Sequence, residues 1–480
     1  MAFCLKDINA VSMLKRFAQS ASLVLLASTL AIYANQAVGI PQTIAAGESH
    51  TAIVKRDGTV WVTGDNTFYQ LGDNRTYMWS DALLPVQVFG LSGVVSVAAG
   101  TSHNVALKAD GTVWGWGYNG HGQLGDGTSG SSRVPVQAQR LGGVVAVAAG
   151  KDHTVAVRSD GTVWAWGSNG DGQLGDGTMI TRPIPILVSG LANVVAVAAG
   201  QGVTMALKSD GTVWTWGSNF YGALGEGAVR NADTKRLIPA QVAGLAGMVA
   251  VSVGNHAVAV KNDGTVWAWG DNGYGQLGDG TTTFRATPVQ VSGLYGVVAA
   301  YAGRASSRNS IALKADGTVW AWGNNDAGQL GDGILSPSSY PVQVAGLFGV
   351  GLVDVGRDHG IAARSDGTFW TWGANYAGQL GDGTTAMRVV PVQMSGIGDA
   401  VAVSPVECFF NKVERYYPSL FSPAASLTAV WSPYTYRYYS ATKAYLGVSS
   451  ADGHVYYQGP DGQSQDEGPL SYWLPLAGCQ

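Results

Sequence analysis

GKDHTVAVRSDGTVWAWGSNGDGQLGDGT, residues 150–178, is the stretch that decides the fold. Just before it, VVAVAA (144–149) alternates small and branched residues with the period of a slender strand. TVAVRS and TVWAWG then flank Asp160-Gly161, a pair favoured in a two-residue hairpin turn that needs positive φ. SNGDGQLGDGT reads as a glycine-rich loop with Leu174 as its large apolar anchor. IPILV (184–188) closes the unit as a short strand, with Pro185 expected at its start where no ladder donor is missed. Four strands in about fifty residues, with no helical period, describe one blade of a β-propeller.

The unit recurs. Asp-Gly-Thr begins at Asp57, Asp110, Asp160, Asp210, Asp263, Asp316 and Asp366, at spacings of 53, 50, 50, 53, 53 and 50. A period near fifty residues marks a propeller or solenoid. Trp164 and Trp166 lie two apart on a strand and so share one face. Equivalent pairs stand at 114/116, 214/216, 267/269, 320/322 and 370/372. A buried indole removes roughly 150–250 Å² from water, about 4–6 kcal/mol before entropy. The pairs are therefore read as packing between neighbouring blades rather than as repeated ligand sites. The first copy, Trp61-Val62-Thr63-Gly64, lacks the second Trp, as terminal repeats with a different neighbour often do.

The expected fold is all-β: a seven-bladed β-propeller of four-stranded antiparallel blades over 43–400, with a degenerate C-terminal half-repeat over 401–480. In that half-repeat DAVAVS (399–404) matches a first strand and AYLGVSSADGHVYYQG (444–459) a hairpin, with a tyrosine-rich insertion between them. It is expected to close the ring or cover its seam, and an eighth blade stays open as an alternative.

Composition narrows the function. Charged residues are 12%, about half the ~25% usual in soluble domains, and Gly reaches 68 of 480. Lys15 and Arg16 precede the apolar run ASLVLLASTLAIYA (21–34), the pattern of a secretory signal peptide with cleavage near 34–37. The run is shorter than the ~20 residues of a membrane span, so no membrane insertion is expected after cleavage. Without residues 1–34 the net charge moves from −4 to −6, because Lys6, Lys15, Arg16 and Asp7 leave. That balance offers no footprint for nucleic acid. Cys4 leaves too, and Cys408 and Cys479 form an even pair expected to make one disulfide; two buried free thiols are the alternative.

The repeated Gly-x-x-His, Asp-Gly-x-Val-x-x-Trp-Gly and Gly-Gln-Leu-Gly elements resemble the regulator of chromosome condensation repeat family, from residue 43 to about 396. The resemblance implies a seven-bladed propeller. It also implies nuclear guanine-nucleotide exchange or nucleosome binding, but an exported acidic chain with no basic tail departs from that pattern. The family's plant ultraviolet receptor carries a Gly-Trp-Arg-His-Thr signature that does not occur here. Fold alone does not fix activity.

Few residues gather into chemistry. His50, His103, His153, His256 and His359 occur once per blade, and Val203 takes the slot in the fourth copy. A ring spaces such residues apart, whereas zinc needs them converged, so no metal is expected and each imidazole is read as bonding local backbone. Asp126, Asp176, Asp279, Asp332 and Asp382 are read as turn residues bonding their own backbone, not as hydrolytic pairs. No catalytic residue and no cofactor is assigned. The insertion RYYPSLFSPAASLTAVWSPYTYRYY (415–439) breaks the repeat and supplies the candidate partner-binding residues: Tyr416, Tyr417, Trp431, Tyr434, Tyr436, Tyr438 and Tyr439. Tyr and Trp suit contact surfaces, though these rings could equally pack over the propeller end. The reading is an exported (periplasmic, cell-surface or extracellular), monomeric, non-enzymatic scaffold for a protein or glycan. The alternatives are a secreted carbohydrate-active or hydrolytic enzyme and a guanine-nucleotide exchange factor.

Overall fold

The computed structural model describes residues 44–397, except 78–79, 228–233 and 305–306, together with five backbone strands beyond residue 425. These fall in two compact units. Within 44–397 the chain forms seven four-stranded antiparallel sheets, 44–87, 94–137, 144–187, 194–241, 248–290, 297–343 and 350–393. Each sheet is contiguous in sequence, and no helix occurs among the described residues. The first strands pack against one another all the way round, with Val350–Val355 of the last blade against Ile44–Ala46 of the first. Seven blades thus close a ring with their first strands innermost.

The third blade shows how the repeat builds a sheet. Its strands are Val144–Ala149, His153–Arg158, Val163–Gly167 and Arg182–Leu187. Val157 pairs with Val163, and Gly161 N–H donates to the Arg158 carbonyl with Gly161 at φ 76°. This is a three-residue loop with glycine in the left-handed position, not the two-residue turn expected from Asp160-Gly161. Asp160 accepts from the Thr162 amide and hydroxyl, which explains the third letter of Asp-Gly-Thr. Pro185 lies inside the fourth strand rather than at its start. The strand is the outer edge of the sheet, and its register shifts between Ala165 and Gly167, so the missing donor costs no ladder bond.

The two tryptophans of each copy have unequal burial. Trp166 is fully buried, packs with Val105, Leu107 and Val113 of the preceding blade, and donates Nε1–H to the Gln123 carbonyl at 2.8 Å. Trp164 packs against the same cluster but is only half-buried; its Nε1 meets Thr162 Oγ1, and Arg158 lies over its ring. Both face the blade before, so the packing expectation stands for the position, while full burial belongs to the second indole alone.

At the seam between the last blade and the first, Thr63 replaces that indole and donates to the carbonyls of Ala82 and Gly378. The space is taken from the other side. Where other blades carry Ala or Val (Ala138, Val188, Val242), the seventh carries Met394, whose side chain stands over Gly381 and joins Ile44, Ala46 and Ile53 in the seam core.

The second unit contains the strands Ser426–Trp431, Tyr434–Tyr439, Ala444–Ser449, His454–Gln458 and Ser464–Pro469 in one antiparallel meander. The hairpin read at 444–459 is present, with Leu446 opposite Tyr457 and Val448 opposite Val455. Among the described residues no helix is long and apolar enough to cross a membrane.

Candidate functional site

Of the candidate partner-binding and disulfide residues, Tyr416, Tyr417, Cys408 and Cys479 lie outside the described residues. The others sit on the C-terminal meander. Trp431 pairs with Tyr434, Tyr436 with Ala429 and Gly447, and Tyr438 with Leu427 and Tyr445. Directly paired residues share a face, as do residues two apart. Trp431, Tyr434, Tyr436 and Tyr438 therefore belong to one face with Tyr445 and Tyr456, and Tyr439 to the other.

The histidines form a device of another kind. All five are fully buried, and their Nε2 atoms reach the next blade rather than local backbone. His103 meets Thr154, His153 meets Thr204, His256 meets Ser310, and His359 closes the ring on Thr51. Each hydroxyl donates its own proton back to a glutamine carbonyl, as Thr204 does to Gln173 at 2.7 Å. It must then accept from the imidazole, so Nε2 carries the proton. His50 does the same toward Asn104 Oδ1 at 3.0 Å. The sequence shows the pairing in its exceptions: where Val203 and Asn309 replace His, the next blade has Ala257 and Gly360 in place of the hydroxyl. In every case Nδ1 is buried without a partner. Burial lowers His50 and His153 to about 4 and His103, His256 and His359 to about 3. No group of three or more His, Cys, Asp or Glu among the described residues is placed to hold a metal.

Antiparallel order puts the loops between first and second strands at the same end of the ring as those between third and fourth. The two are tied together, with Ser168 N–H donating to the Asp152 carbonyl and Ala374 N–H to that of Asp358. At this end the frame is constant. Asn169 Oδ1 accepts from the Leu174 amide, and its Nδ2 donates to Asp176; Asn119, Asn272, Asn325 and Asn375 repeat the arrangement. Asp176 also accepts from the Thr178 amide, as expected of a turn residue.

Between the buried Asn and the following Gly-Gln-Leu-Gly, two positions change from copy to copy: Gly120-His121, Gly170-Asp171, Phe220-Tyr221, Gly273-Tyr274, Asp326-Ala327 and Tyr376-Ala377. These tips carry aromatic and charged groups. Arg308 stacks on Tyr274 at 4.6 Å, the Tyr376 hydroxyl meets Ser49, and Arg357 pairs with Glu48 at 2.7 Å and with Asp358. Burial raises Asp152 and Asp358 above the usual carboxylate range.

At the axis, the glycines before these loops crowd one another. A Cβ on Gly100 would meet the Gly150 carbonyl, one on Gly150 that of Gly200, and one on Gly200 that of Gly254. On its other side the same Gly150 Cβ would strike the His153 ring, which accounts for the glycine of Gly-x-x-His. The residue after each axial glycine forms a polar crown: Glu48, Thr101, Lys151, Gln201, Asn255, Arg304 and Arg357. Arg304 reaches across the axis from the sixth blade, donating to the Ala149 carbonyl of the third at 3.1 Å and pairing with the buried Asp354 at 3.3 Å. The sequence reading passed over this crown. Its signal was a fixed position occupied by a polar residue in all seven copies, with only Arg appearing twice.

A closed ring of seven four-stranded blades built on one repeated frame defines a repeat β-propeller. The RCC1-like domain family model matches residues 81–409, and the regulator of chromosome condensation (RCC1) repeat model matches 42–70; the chain belongs to the RCC1-like domain family. It is 36% identical to the human E3 ubiquitin-protein ligase HERC2 over 123 residues, 25% of this chain and 2% of that one. To the RCC2 homolog of Danio rerio it is 33% identical over 89 residues, 18% of each chain. The chain thus spans less than a fifth of either relative. Among solved structures it resembles yeast RCC1 (Prp20) bound to Kap60, with TM-score 0.63, 21% identity, 72% of this chain and 85% of that one covered. It also resembles human WBSCR16, with TM-score 0.58, 27% identity, and coverage of 67% and 86%.

Proposed function

We propose that this chain is an exported, non-enzymatic interaction scaffold that recognises a protein through the loop end bearing the crown. The observation that carries the reading is the change of side chain from copy to copy at the crown and at the two positions after each buried Asn, set on a frame of repeated Asn and Asp hydrogen bonds. Phe220, Tyr376 and Arg308 are exposed at that end, and aromatic and Arg side chains are favoured anchors at interfaces. The yeast neighbour was solved bound to Kap60, and its binding properties to Gsp1p and histones accompany a second structure. Export rests on the basic and apolar pattern of residues 15–34. For a glycan partner, the supporting observation is the shared face of Trp431, Tyr434, Tyr436 and Tyr438.

Fractionation of a tagged full-length chain tests export, and recovery with cytoplasmic markers counts against it. Cross-linking capture then compares F220A/Y376A/R308A with Y295A/F348A, whose exposed rings lie at the opposite end. Loss of a partner in the first set alone is expected. Equal loss, or loss in the second set alone, refutes the assignment of the face. Loss confined to Y434A/Y436A selects the C-terminal strands.

A further inference from the structure

We infer that the circumference of the ring is closed to strand addition: the outer edge of every blade is built to refuse a fifth strand, whether an extended peptide or the edge of a second copy. This goes beyond the protein-recognition reading and does not depend on it.

Each fourth strand lies at the edge of its sheet, and an edge strand presents a row of backbone N–H and C=O groups on which another strand can pair. In the sixth blade that strand is Ser338–Gln343. Val344 N–H donates inward to the Val319 carbonyl, and Gln343 stands opposite Trp320. Directions alternate along a strand, so both backbone groups of Gln343, the Pro341 carbonyl and the Pro341 nitrogen point away from the sheet. Proline has no N–H to offer there. Two residues back, the Ser339 carbonyl already accepts from Gly280 N–H of the fifth blade at 3.1 Å. Two residues beyond Gln343, Ala345 N–H donates to the Gly331 carbonyl of its own blade at 2.9 Å. An incoming strand therefore meets one complete residue and one further carbonyl, where a ladder needs such residues in succession.

The arrangement recurs in all seven blades. A proline stands three residues before the inward donor throughout, from Pro85 before Val88 to Pro391 before Met394. The carbonyl two residues before each proline accepts from the preceding blade: Gly127 N–H donates to Pro183, Gly177 to Leu237, Gly333 to Val389 and, across the seam, Gly383 to Leu83, each at 3.0 Å. Asn74 takes the glycine's place in the first loop and donates to the Arg133 carbonyl at 3.2 Å. These bonds form a hoop that joins neighbouring blades and covers their edges together. A proline at an inward nitrogen would break the blade; at an outward one it costs the blade nothing and denies a donor to any added strand.

The first test is amide hydrogen exchange on the full-length chain. Gly280, Gly333 and Gly383 are expected to exchange at least about a hundredfold more slowly than Gln343 and Gln393. Equal rates mean that the hoop does not hold the edges, and overturn the inference. The second test returns an outward N–H to three adjoining blades with P239T/P288T/P341T, and uses P337T, which lies outside the edge strand, as control. Sedimentation velocity is expected to show self-association of the triple variant at least about tenfold tighter than that of the wild type, with P337T unchanged. A folded triple variant no more associated than the wild type overturns the inference, as does equal association of P337T. Should the triple variant fail to fold, P341T alone is read in the same way, and the exchange result stands by itself. Capture of a partner at the crown end, or its failure, alters none of these readouts.

Discussion

Acid is expected to open this ring well above the pH at which its carboxylates titrate. Each of the five buried imidazoles has a folded value of about 3 to 4 against an ordinary 6.5, because Nδ1 sits in the interior with no acceptor for a second proton. As pH falls below 6.5 the unfolded chain takes up protons that the folded chain refuses, so stability is full above 6.5 and drains toward about 4. At about pH 5 the loss is ~2 kcal/mol per imidazole and ~10 kcal/mol for five, comparable with the ~5–15 kcal/mol of a whole domain. Asp152 and Asp358, raised by burial, take protons in the folded chain first and offset part of this. The turn carboxylates such as Asp160 and Asp210 are lowered by their Thr hydrogen bonds and add losses only below 3.8. Urea unfolding followed by tryptophan fluorescence at about pH 7.5 and about pH 5 measures the drop. The double substitution H153V/T204A copies the apolar version that the chain already uses at Val203 and Ala257, and should return about a fifth of the pH-dependent loss. A urea midpoint unchanged between the two pH values refutes the reasoning, as does an undiminished loss in H153V/T204A.

Two further expectations concern the packing between blades. Trp166→Ala empties a fully buried site and removes one of the two donors to the Gln123 carbonyl, and should cost about 3–5 kcal/mol in urea unfolding, with Trp164→Ala costing clearly less. At the seam, Thr63→Trp alone overpacks against Met394 and Met394→Val alone leaves a void, each destabilising by about 1–3 kcal/mol. The double variant recreates the arrangement of the other interfaces, so its loss should fall below the two single losses combined; strict additivity in the cycle speaks against Met394 as the substitute for the missing indole.

The ring was legible because its repeat is dense in residues with one structural use each. Asp-Gly-Thr marked every hairpin, and the Trp pairs marked every interface. What the sequence reading missed were relations between copies. Single-strand logic put Trp164 and Trp166 on one face correctly, but depth along a strand depends on where the next blade ends, and the outer indole falls at the rim. The histidines looked local because their partners lie 51 or 54 residues on, except at the seam, where the partner lies 308 residues back. The matching losses of His and hydroxyl at Val203/Ala257 and Asn309/Gly360 were visible all along as a correlation at a distance of one blade. The hairpin loop length was misread for a simpler reason: Asp-Gly serves both two- and three-residue loops, and the Thr bonded to Asp160 is what chooses between them.

The same economy explains where recognition can reside. Asn169, Gln173, Leu174 and Gly175 are each committed: a carboxamide to its loop, a carbonyl to the next indole, an anchor to the core, and a missing Cβ to the space Trp216 fills. Changing Asn169, Leu174 or Gly175 breaks the loop or an interface before it alters a surface, whereas the carbonyl at Gln173 serves whatever the side chain, as Ala223 does toward Trp269. The axial glycines are equally fixed, because most of them border a neighbouring carbonyl, their own imidazole, or both. The residue after the axial glycine and the two residues after the buried Asn belong to no contact that repeats in this way, and they differ from copy to copy. Seven copies of a rigid frame therefore hold a set of independent side chains on one circle. Arg304 shows how far one of them can depart: three extra residues in the sixth copy let it cross to the third blade while the glycine ring beneath keeps its register.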